Sequence, residues 1–222
     1  MARKPLWISV SGMYGTGKST LVDFMYKTYK AEGKKVIKYV MPLQAQQILQ
    51  KLKNTEDIHS DILQLAKWIR AIALKIRKIQ LSGKYEIVLT DGSILDLLLY
   101  ASMYGYMYTD VLLFLGLSSI PTEDFIIALD ADVDTVAYPM VYTVNGFLEK
   151  FKSKDVLKLQ RVQLRKLLKY VVVERAVRQY YNAKILPIEV EASDSKRHVH
   201  QKIKKAKDFL PKSINIFGKK YD

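Results

Sequence analysis

The residues with the most recognisable chemistry in this chain form a glycine-rich run at positions 11–20. Gly12, Gly17, Lys18 and Ser19 have the spacing of a phosphate-binding loop between a strand and a helix. Glycines let the backbone turn tightly and bring its N–H groups to phosphate oxygens, and the helix that follows directs the positive end of its dipole at the same anion. The lysine supplies a charge for the β- and γ-phosphates, and the serine hydroxyl can ligate Mg²⁺. The residues predicted to surround the phosphates are Gly12, Met13, Tyr14, Gly15, Thr16, Gly17, Lys18, Ser19 and Thr20.

Such a loop needs an acidic partner, because phosphoryl transfer depends on positioning and on charge neutralisation. Asp91 follows an apolar segment at the carboxyl end of a predicted strand, where sheets of this class bind their ligands. It is predicted to act with Lys18 in catalysis and with Ser19 as a metal ligand. Asp130 ends a later apolar segment in the same way and is a second candidate. For either aspartate, a capping or turn role is the structural alternative.

Composition restricts the classes of protein that the chain can form. Its 222 residues are 49% hydrophobic, which is typical of a globular domain with a sizeable core. The absence of cysteine excludes disulfides, thiolate catalysis and cysteine metal sites. No apolar run reaches the roughly 18 residues of a membrane span, and the first residues lead into a strand without a signal-peptide pattern. We therefore expect a cytoplasmic protein without a membrane partner.

The net charge is strongly positive. A formal charge of +14 favours anionic partners, namely nucleotides, nucleic acid or an acidic surface. A lysine-rich surface that keeps the protein in solution explains the same number equally well, and the sequence leaves both interpretations open.

Apolar segments that read as strands alternate with segments that read as helices, which predicts an α/β protein with a parallel sheet covered on both faces. A single domain is expected over residues 1–222, and the irregular segment 135–154 is predicted to be a lid. The predicted strands are 6–11, 35–40, 85–90, 124–129 and 183–190, and the predicted helices are 18–32, 43–53, 57–81, 93–106, 155–181 and 195–209.

The order of these parts resembles thymidylate kinase and its relatives among the P-loop nucleoside and nucleotide kinases. The similar elements are the loop at 11–20, Arg70 ahead of Asp91, the run Leu99-Tyr100-Ala101 after it, and the run Leu129-Asp130-Ala131-Asp132. The resemblance implies the P-loop kinase fold, with five parallel strands in the order 2-3-1-4-5. It also implies use of ATP and Mg²⁺, a nucleoside monophosphate acceptor such as thymidylate, and a homodimer. Arg70 and Tyr100 would hold the acceptor.

The sequence departs from that family mainly on the acceptor side. Tyr14 replaces the acid of the loop, Gly92 replaces the arginine after Asp91, and Val40-Met41 stands where the family has arginine and glutamate. Near the predicted lid, Arg161 and Arg165 lie four residues apart on one helix face and are candidates to close over the phosphates. A role as solvated helix surface is their structural alternative.

Two functions are consistent with these residues. The first is ATP-dependent phosphoryl transfer to a nucleoside monophosphate. The second is a nucleotide-binding protein with a remodelled acceptor site, whose basic segments 152–178 and 202–220 contact nucleic acid through its phosphates.

Overall fold

The structure is a computed structural model that describes residues 5–13, 15–41, 57–103, 106, 110–111, 121–132, 154–173, 183–190, 198 and 201–202. Five strands and four long helices organise these residues. The strands are β1 Leu6–Gly12, β2 Val36–Val40, β3 Ile87–Asp91, β4 Phe125–Ala131 and β5 Lys184–Val190. The helices are α1 Lys18–Ala31, α2 Ile58–Leu81, α3 Ile94–Met103 and α4 Lys154–Val173.

The strands form one parallel sheet in the order β2-β3-β1-β4-β5, which confirms the predicted fold class and strand order. β1 is central, and its residues from Trp7 onward are buried, as expected for a parallel strand covered on both faces. Pro187 lies in β5 at one edge, where a residue without a backbone N–H is tolerated.

Apolar side chains cover the sheet on two faces. On one face, residues of α2, α3 and α4 such as Ile69, Leu98 and Leu164 pack with Trp7 of the central strand. On the other face, Leu21 and the rest of the apolar stripe of α1 pack against β1, β3 and β4. Because the strands are parallel, the carboxyl ends of β1, β3 and β4 lie at the same end of the sheet, and the phosphate-loop pattern begins there.

A buried polar network joins the two central strands to the start of α3. The hydroxyls of Ser9 and Thr90 are 2.6 Å apart, and the indole nitrogen of Trp7 donates to Thr90 Oγ1 at 3.3 Å. The carboxylate of Glu123 accepts from Ser9 Oγ at 3.3 Å and from the backbone N–H of Ile94 at 2.7 Å. Because buried polar groups are costly unless paired, this network fixes where α3 begins relative to β1 and β3.

Several predicted segments lie wholly or mostly outside the described residues. These are the predicted helix 43–53, the lid segment 135–154 except its last residue, and the end of the predicted helix 155–181. Of the predicted last helix, His198, Gln201 and Lys202 are described and are helical. Within the described ranges, no helix is long and apolar enough to cross a membrane.

Candidate phosphate-binding site

The loop between β1 and α1 turns through three glycines with positive φ angles. Gly12, Gly15 and Gly17 have φ values of 152°, 78° and 86°. A Cβ atom on Gly12 would lie 2.7 Å from the backbone oxygen of Leu129 and 2.9 Å from Thr16 Oγ1. The first glycine is therefore required both by the backbone angle and by its contact with β4.

The ammonium group of Lys18 lies over the start of this loop. Its Nζ donates to the backbone oxygen of Gly12 at 2.7 Å and to that of Met13 at 2.8 Å. Burial lowers the pKa of Lys18, and the carboxylates of Asp96 and, more weakly, Asp91 oppose this effect. The loop therefore holds a partly desolvated cation close to two carboxylates.

The other described residues of the loop differ in burial. Thr16 is buried and donates its hydroxyl to the backbone oxygen of Met13 at 2.9 Å, which ties the turn together. Ser19 is exposed and Thr20 is half-buried in the first turn of α1. The prediction for Tyr14 falls outside the described residues.

Asp91 lies one strand away from the loop. It is the last residue of β3, is half-buried and pairs in register with Val10 of β1. The next residue, Gly92, donates its backbone N–H to the oxygen of Val10 at 3.0 Å. The sheet register therefore brings the carboxyl end of β3 beside the residues that lead into the phosphate loop.

Asp96 is the residue of this site that the sequence analysis missed. It is 3% exposed, and its carboxylate accepts hydrogen bonds from Ser11 Oγ at 2.9 Å and from the backbone N–H of Gly12 at 3.3 Å. Ser93 caps α3, because Ser93 Oγ accepts from the backbone N–H of Asp96 at 3.2 Å. A serine followed three residues later by an acid is a capping-box pattern, and this signal was available in the sequence.

The lid candidates Arg161 and Arg165 both contact Asp130, the second acidic candidate. Arg161 Nε lies 3.0 Å from Asp130 Oδ1 and its Nη1 lies 2.8 Å from Asp132 Oδ2. Arg165 Nε donates to Asp130 Oδ2 at 2.8 Å, and its Nη2 contacts the same oxygen. In this structure the two arginines neutralise the carboxyl end of β4.

Of the two acceptor candidates, Arg70 has a described side chain and Tyr100 does not. Arg70 is on the exposed face of α2, and among the described residues no hydrogen bond or ion pair connects it to the phosphate loop. Tyr100 lies within α3, and its side chain is outside what the structure describes. Trp68 is half-buried and packs against the core cluster that contains Trp7.

Gly92, which stands where the family that the chain resembles has an arginine, occupies a confined position. Gly92 has a φ of 95°, and a Cβ atom there would lie 2.9 Å from Met41 Cβ. Met41 is buried and donates its backbone N–H to the oxygen of Asp91 at 2.9 Å. Any longer side chain at position 92 would have to displace this contact.

The side chains present fit Mg²⁺ held together with phosphates. Among the described residues, no group of three or more histidines, cysteines or acids could hold a metal alone. Mg²⁺ commonly binds through one or two protein oxygens, water and substrate phosphates. The exposed hydroxyl of Ser19 and the half-buried carboxylate of Asp91 are oxygen ligands of that kind.

Of three comparisons with known proteins, the one with solved structures gives a match. No family model matches the sequence, and the search of curated proteins finds no match. Among solved structures, the chain is similar to a thymidylate kinase from Candida albicans, with a TM-score of 0.64 and 12% sequence identity. The match covers 94% of this chain and 93% of that one. At this level of identity the likeness shows the fold: the chain has the architecture of a nucleotide kinase.

Proposed function

We propose that the protein transfers the γ-phosphoryl group of ATP to a nucleoside monophosphate, with Mg²⁺ as the cofactor. The observation that carries this proposal is the position of Lys18, whose ammonium lies 2.7 and 2.8 Å from two carbonyls of a loop turned through three left-handed glycines. A cation there, at the start of α1, suits the β- and γ-phosphates of a triphosphate, and the carboxylates of Asp96 and Asp91 favour its charged form.

In the proposed reaction, an oxygen of the acceptor phosphate attacks the γ-phosphorus, and the bond to the oxygen bridging the β- and γ-phosphorus atoms breaks, so ADP leaves. Lys18 and the loop N–H groups stabilise charge on the transferring group. Ser19 and Asp91 would hold Mg²⁺, which neutralises phosphate charge when bound. The ammonium of Lys18 would exchange its two carbonyl partners for phosphate oxygens as the triphosphate enters.

The acceptor is proposed as thymidylate because the chain resembles thymidylate kinases in the order of its motifs and in fold. Arg70 and Tyr100 are proposed to hold the acceptor, with Arg161 and Arg165 as lid residues. If so, donor binding must release the two arginines from Asp130, since a guanidinium already paired with a carboxylate has fewer donors for phosphate. A homodimer and a lid at 135–154 complete the proposal.

The acceptor panel is the direct test. Purified protein with ATP and Mg²⁺ is offered nucleoside monophosphates and nucleosides one at a time, while ADP release is followed. We expect thymidylate to stimulate ADP release above the rate with ATP alone. Stimulation by a different monophosphate would correct the acceptor, and no stimulation by any of them would refute the kinase proposal.

A second candidate function, binding of single-stranded nucleic acid, is favoured by one surface. A groove of about 580 Å³ lies on the α1–β2 side of the molecule, and seven of its nine described lining residues are lysines or tyrosines. Lysines contact phosphates and tyrosine rings stack on bases. We call this surface the lysine groove; its residues are Tyr26, Lys30, Lys34, Lys35, Val36, Ile37, Lys38, Lys84 and Tyr85.

Two lysines of the lysine groove already have a partner. Asp23 pairs with Lys38 at 2.5 Å, and the ammonium of Lys30 lies 4.9 Å from the centre of the Tyr26 ring. Lys34 and Lys84 are the members to test, since neither takes part in those two contacts.

Fluorescence anisotropy with a labelled oligothymidylate tests this second candidate. The double variant Lys34→Ala/Lys84→Ala should flatten the slope of log affinity against log salt by roughly 1.4, at about 0.7 per neutralised phosphate on a single strand. The control is Lys67→Ala/Lys78→Ala, which removes two exposed lysines of α2. Equal slopes in both variants would show that the lysine groove is not the binding surface.

A further inference from the structure

The carboxylate of Asp96 connects two parts of the proposed site. Its Oδ1 accepts from Ser11 Oγ at 2.9 Å and from the backbone N–H of Gly12 at 3.3 Å. Its Oδ2 accepts from the backbone N–H of Ser93 at 2.8 Å and from Ser93 Oγ at 3.4 Å. One buried side chain therefore joins the first residues of the phosphate loop to the segment that follows Asp91.

Helix capping explains only half of these contacts. In a capping box, the acid at the third helical position accepts from the backbone of the capping residue, as Oδ2 does here with Ser93. The bonds that Oδ1 accepts from Ser11 and Gly12 are not part of such a motif, because these residues belong to β1 and not to the capped helix. An acid with only a capping role is usually exposed, whereas Asp96 is 3% exposed.

We propose that Asp96 is a positioning residue for the donor nucleotide, which holds the start of the phosphate loop at a fixed distance from the Asp91 strand end. This inference rests on the proposed function, since it assigns the loop to ATP. Gly12 lies close against β4, because a Cβ there would lie 2.7 Å from the backbone oxygen of Leu129. The loop is thus confined on one side by β4 and tied on the other by Asp96.

Substituting asparagine for Asp96 breaks one end of this connection without changing the size of the side chain. Both carboxylate oxygens accept from a backbone N–H, of Gly12 or of Ser93. An amide has one oxygen and one NH₂ group, so in either orientation its NH₂ group faces an N–H donor. The start of the loop must then shift, or a buried donor stays unpaired.

The sign of the effect on ATP affinity separates three explanations. If only charge mattered, removing a carboxylate near a triphosphate would tighten ATP binding. If Asp96 only stabilised the fold, D96N would lower the fraction of protein that binds and leave the dissociation constant of that fraction unchanged. If Asp96 positions the loop, binding weakens in protein that is fully folded.

Calorimetric titration of the full chain with ATP and Mg²⁺ measures both affinity and the binding fraction. For Asp96→Asn we expect the dissociation constant to rise at least about tenfold, because the variant loses the charge of the acceptor and also leaves one buried backbone donor unpaired. Ser11→Ala keeps the charge and loses one of the two loop bonds, so a smaller rise of about threefold to tenfold is expected. Asp155→Asn, which removes an exposed first-turn carboxylate of α4, is the control and should change the dissociation constant less than twofold.

Circular dichroism establishes which variants are folded, and Ser11→Ala decides the outcome if Asp96→Asn does not fold. Unchanged or tighter binding by a folded Ser11→Ala protein, or by a folded Asp96→Asn protein, overturns the inference while wild-type turnover leaves the proposed function intact. A wild-type protein that neither binds ATP nor releases ADP overturns both.

Discussion

Replacing Gly12 with alanine should destabilise the protein more than the same change at any glycine in open space. The φ of 152° is one that alanine rarely adopts, and the added methyl would lie 2.7 Å from the backbone oxygen of Leu129 and 2.9 Å from Thr16 Oγ1. A positive φ costs an L-residue about 1–2 kcal/mol, and overpacking a rigid site adds about 1–3 kcal/mol. Since the first clash is with the backbone of β4, which cannot rotate away, the sum is about 2–5 kcal/mol.

Gly33 supplies a matched control for this experiment. It has a φ of 76°, and a Cβ there would meet nothing within 4 Å, so Gly33→Ala carries the backbone cost alone. The free energy of unfolding of both variants, measured with urea, should differ by at least about 1 kcal/mol, with Gly12→Ala the less stable. ATP affinity should fall only for Gly12→Ala. Equal losses of stability would mean that the loop relaxes freely and that β4 does not confine it.

Three further predictions, on Tyr106, on the pair Arg161–Asp130 and on Gly92, can be checked by titration or unfolding experiments. Burial and a 2.8 Å hydrogen bond to Asp61 raise the pKa of Tyr106 to about 12. This raised pKa favours the neutral hydroxyl in the folded protein, so the contribution of Tyr106 to stability is complete below the ordinary pKa of 10.0 and is lost as pH rises through 12. A difference titration of wild type against Tyr106→Phe should show ionisation near 12, not 10. For Arg161 and Asp130, whose side chains are 20% and 24% exposed, a double-mutant cycle of Arg161→Ala and Asp130→Asn in urea should give a coupling of about 1 kcal/mol, and a coupling near zero would contradict a structural ion pair. Gly92→Ala should lower the free energy of unfolding by about 2–4 kcal/mol in total in the same assay. This is more than Gly33→Ala should cost, because the added methyl meets a buried neighbour.

The conformation of the loop between β1 and α1 is predictable from the sequence because its signal is local. Glycines stand at the positions with φ of 152° and 86°, so spacing alone locates the turn, whereas its binding of phosphate stays a prediction. The alternation of strands and helices predicted the parallel sheet for a similar reason, since it reflects burial on both faces. The strand order came from the family resemblance and is confirmed by the sheet.

Asp96 was missed because its contacts with the loop are tertiary. The pattern at Ser93 and Asp96 indicates a helix cap, but nothing in the sequence places that cap beside Ser11, 85 positions earlier in the chain. The pairing of Asp130 with Arg161 spans 31 positions and depends in the same way on how α4 lies across β4. Spacing rules reach neighbours in one element, and contacts between elements require the packed structure.

Gly92 could not be interpreted from the sequence for a different reason. The sequence shows only that it differs from the arginine of the family that the chain resembles, whereas the structure gives it a backbone requirement, because its φ is 95° and Met41 occupies the space beside it. A missing residue type does not reveal which contact replaced it.

Substitution of Lys18 tests the central claim most directly. The protein with Lys18→Ala is compared with wild type and with Lys67→Ala, an exposed lysine of α2, by ATP calorimetry and ADP release in the presence of Mg²⁺ and the acceptor that wild type uses. We expect the Lys18→Ala protein to stay folded and to lose acceptor-stimulated ADP release by at least about a hundredfold, which is the scale of one electrostatic group at a transferring phosphoryl. The Lys67→Ala control should be unaffected. Turnover of a folded Lys18→Ala protein at the wild-type rate would contradict the assignment of this loop to the phosphates of ATP.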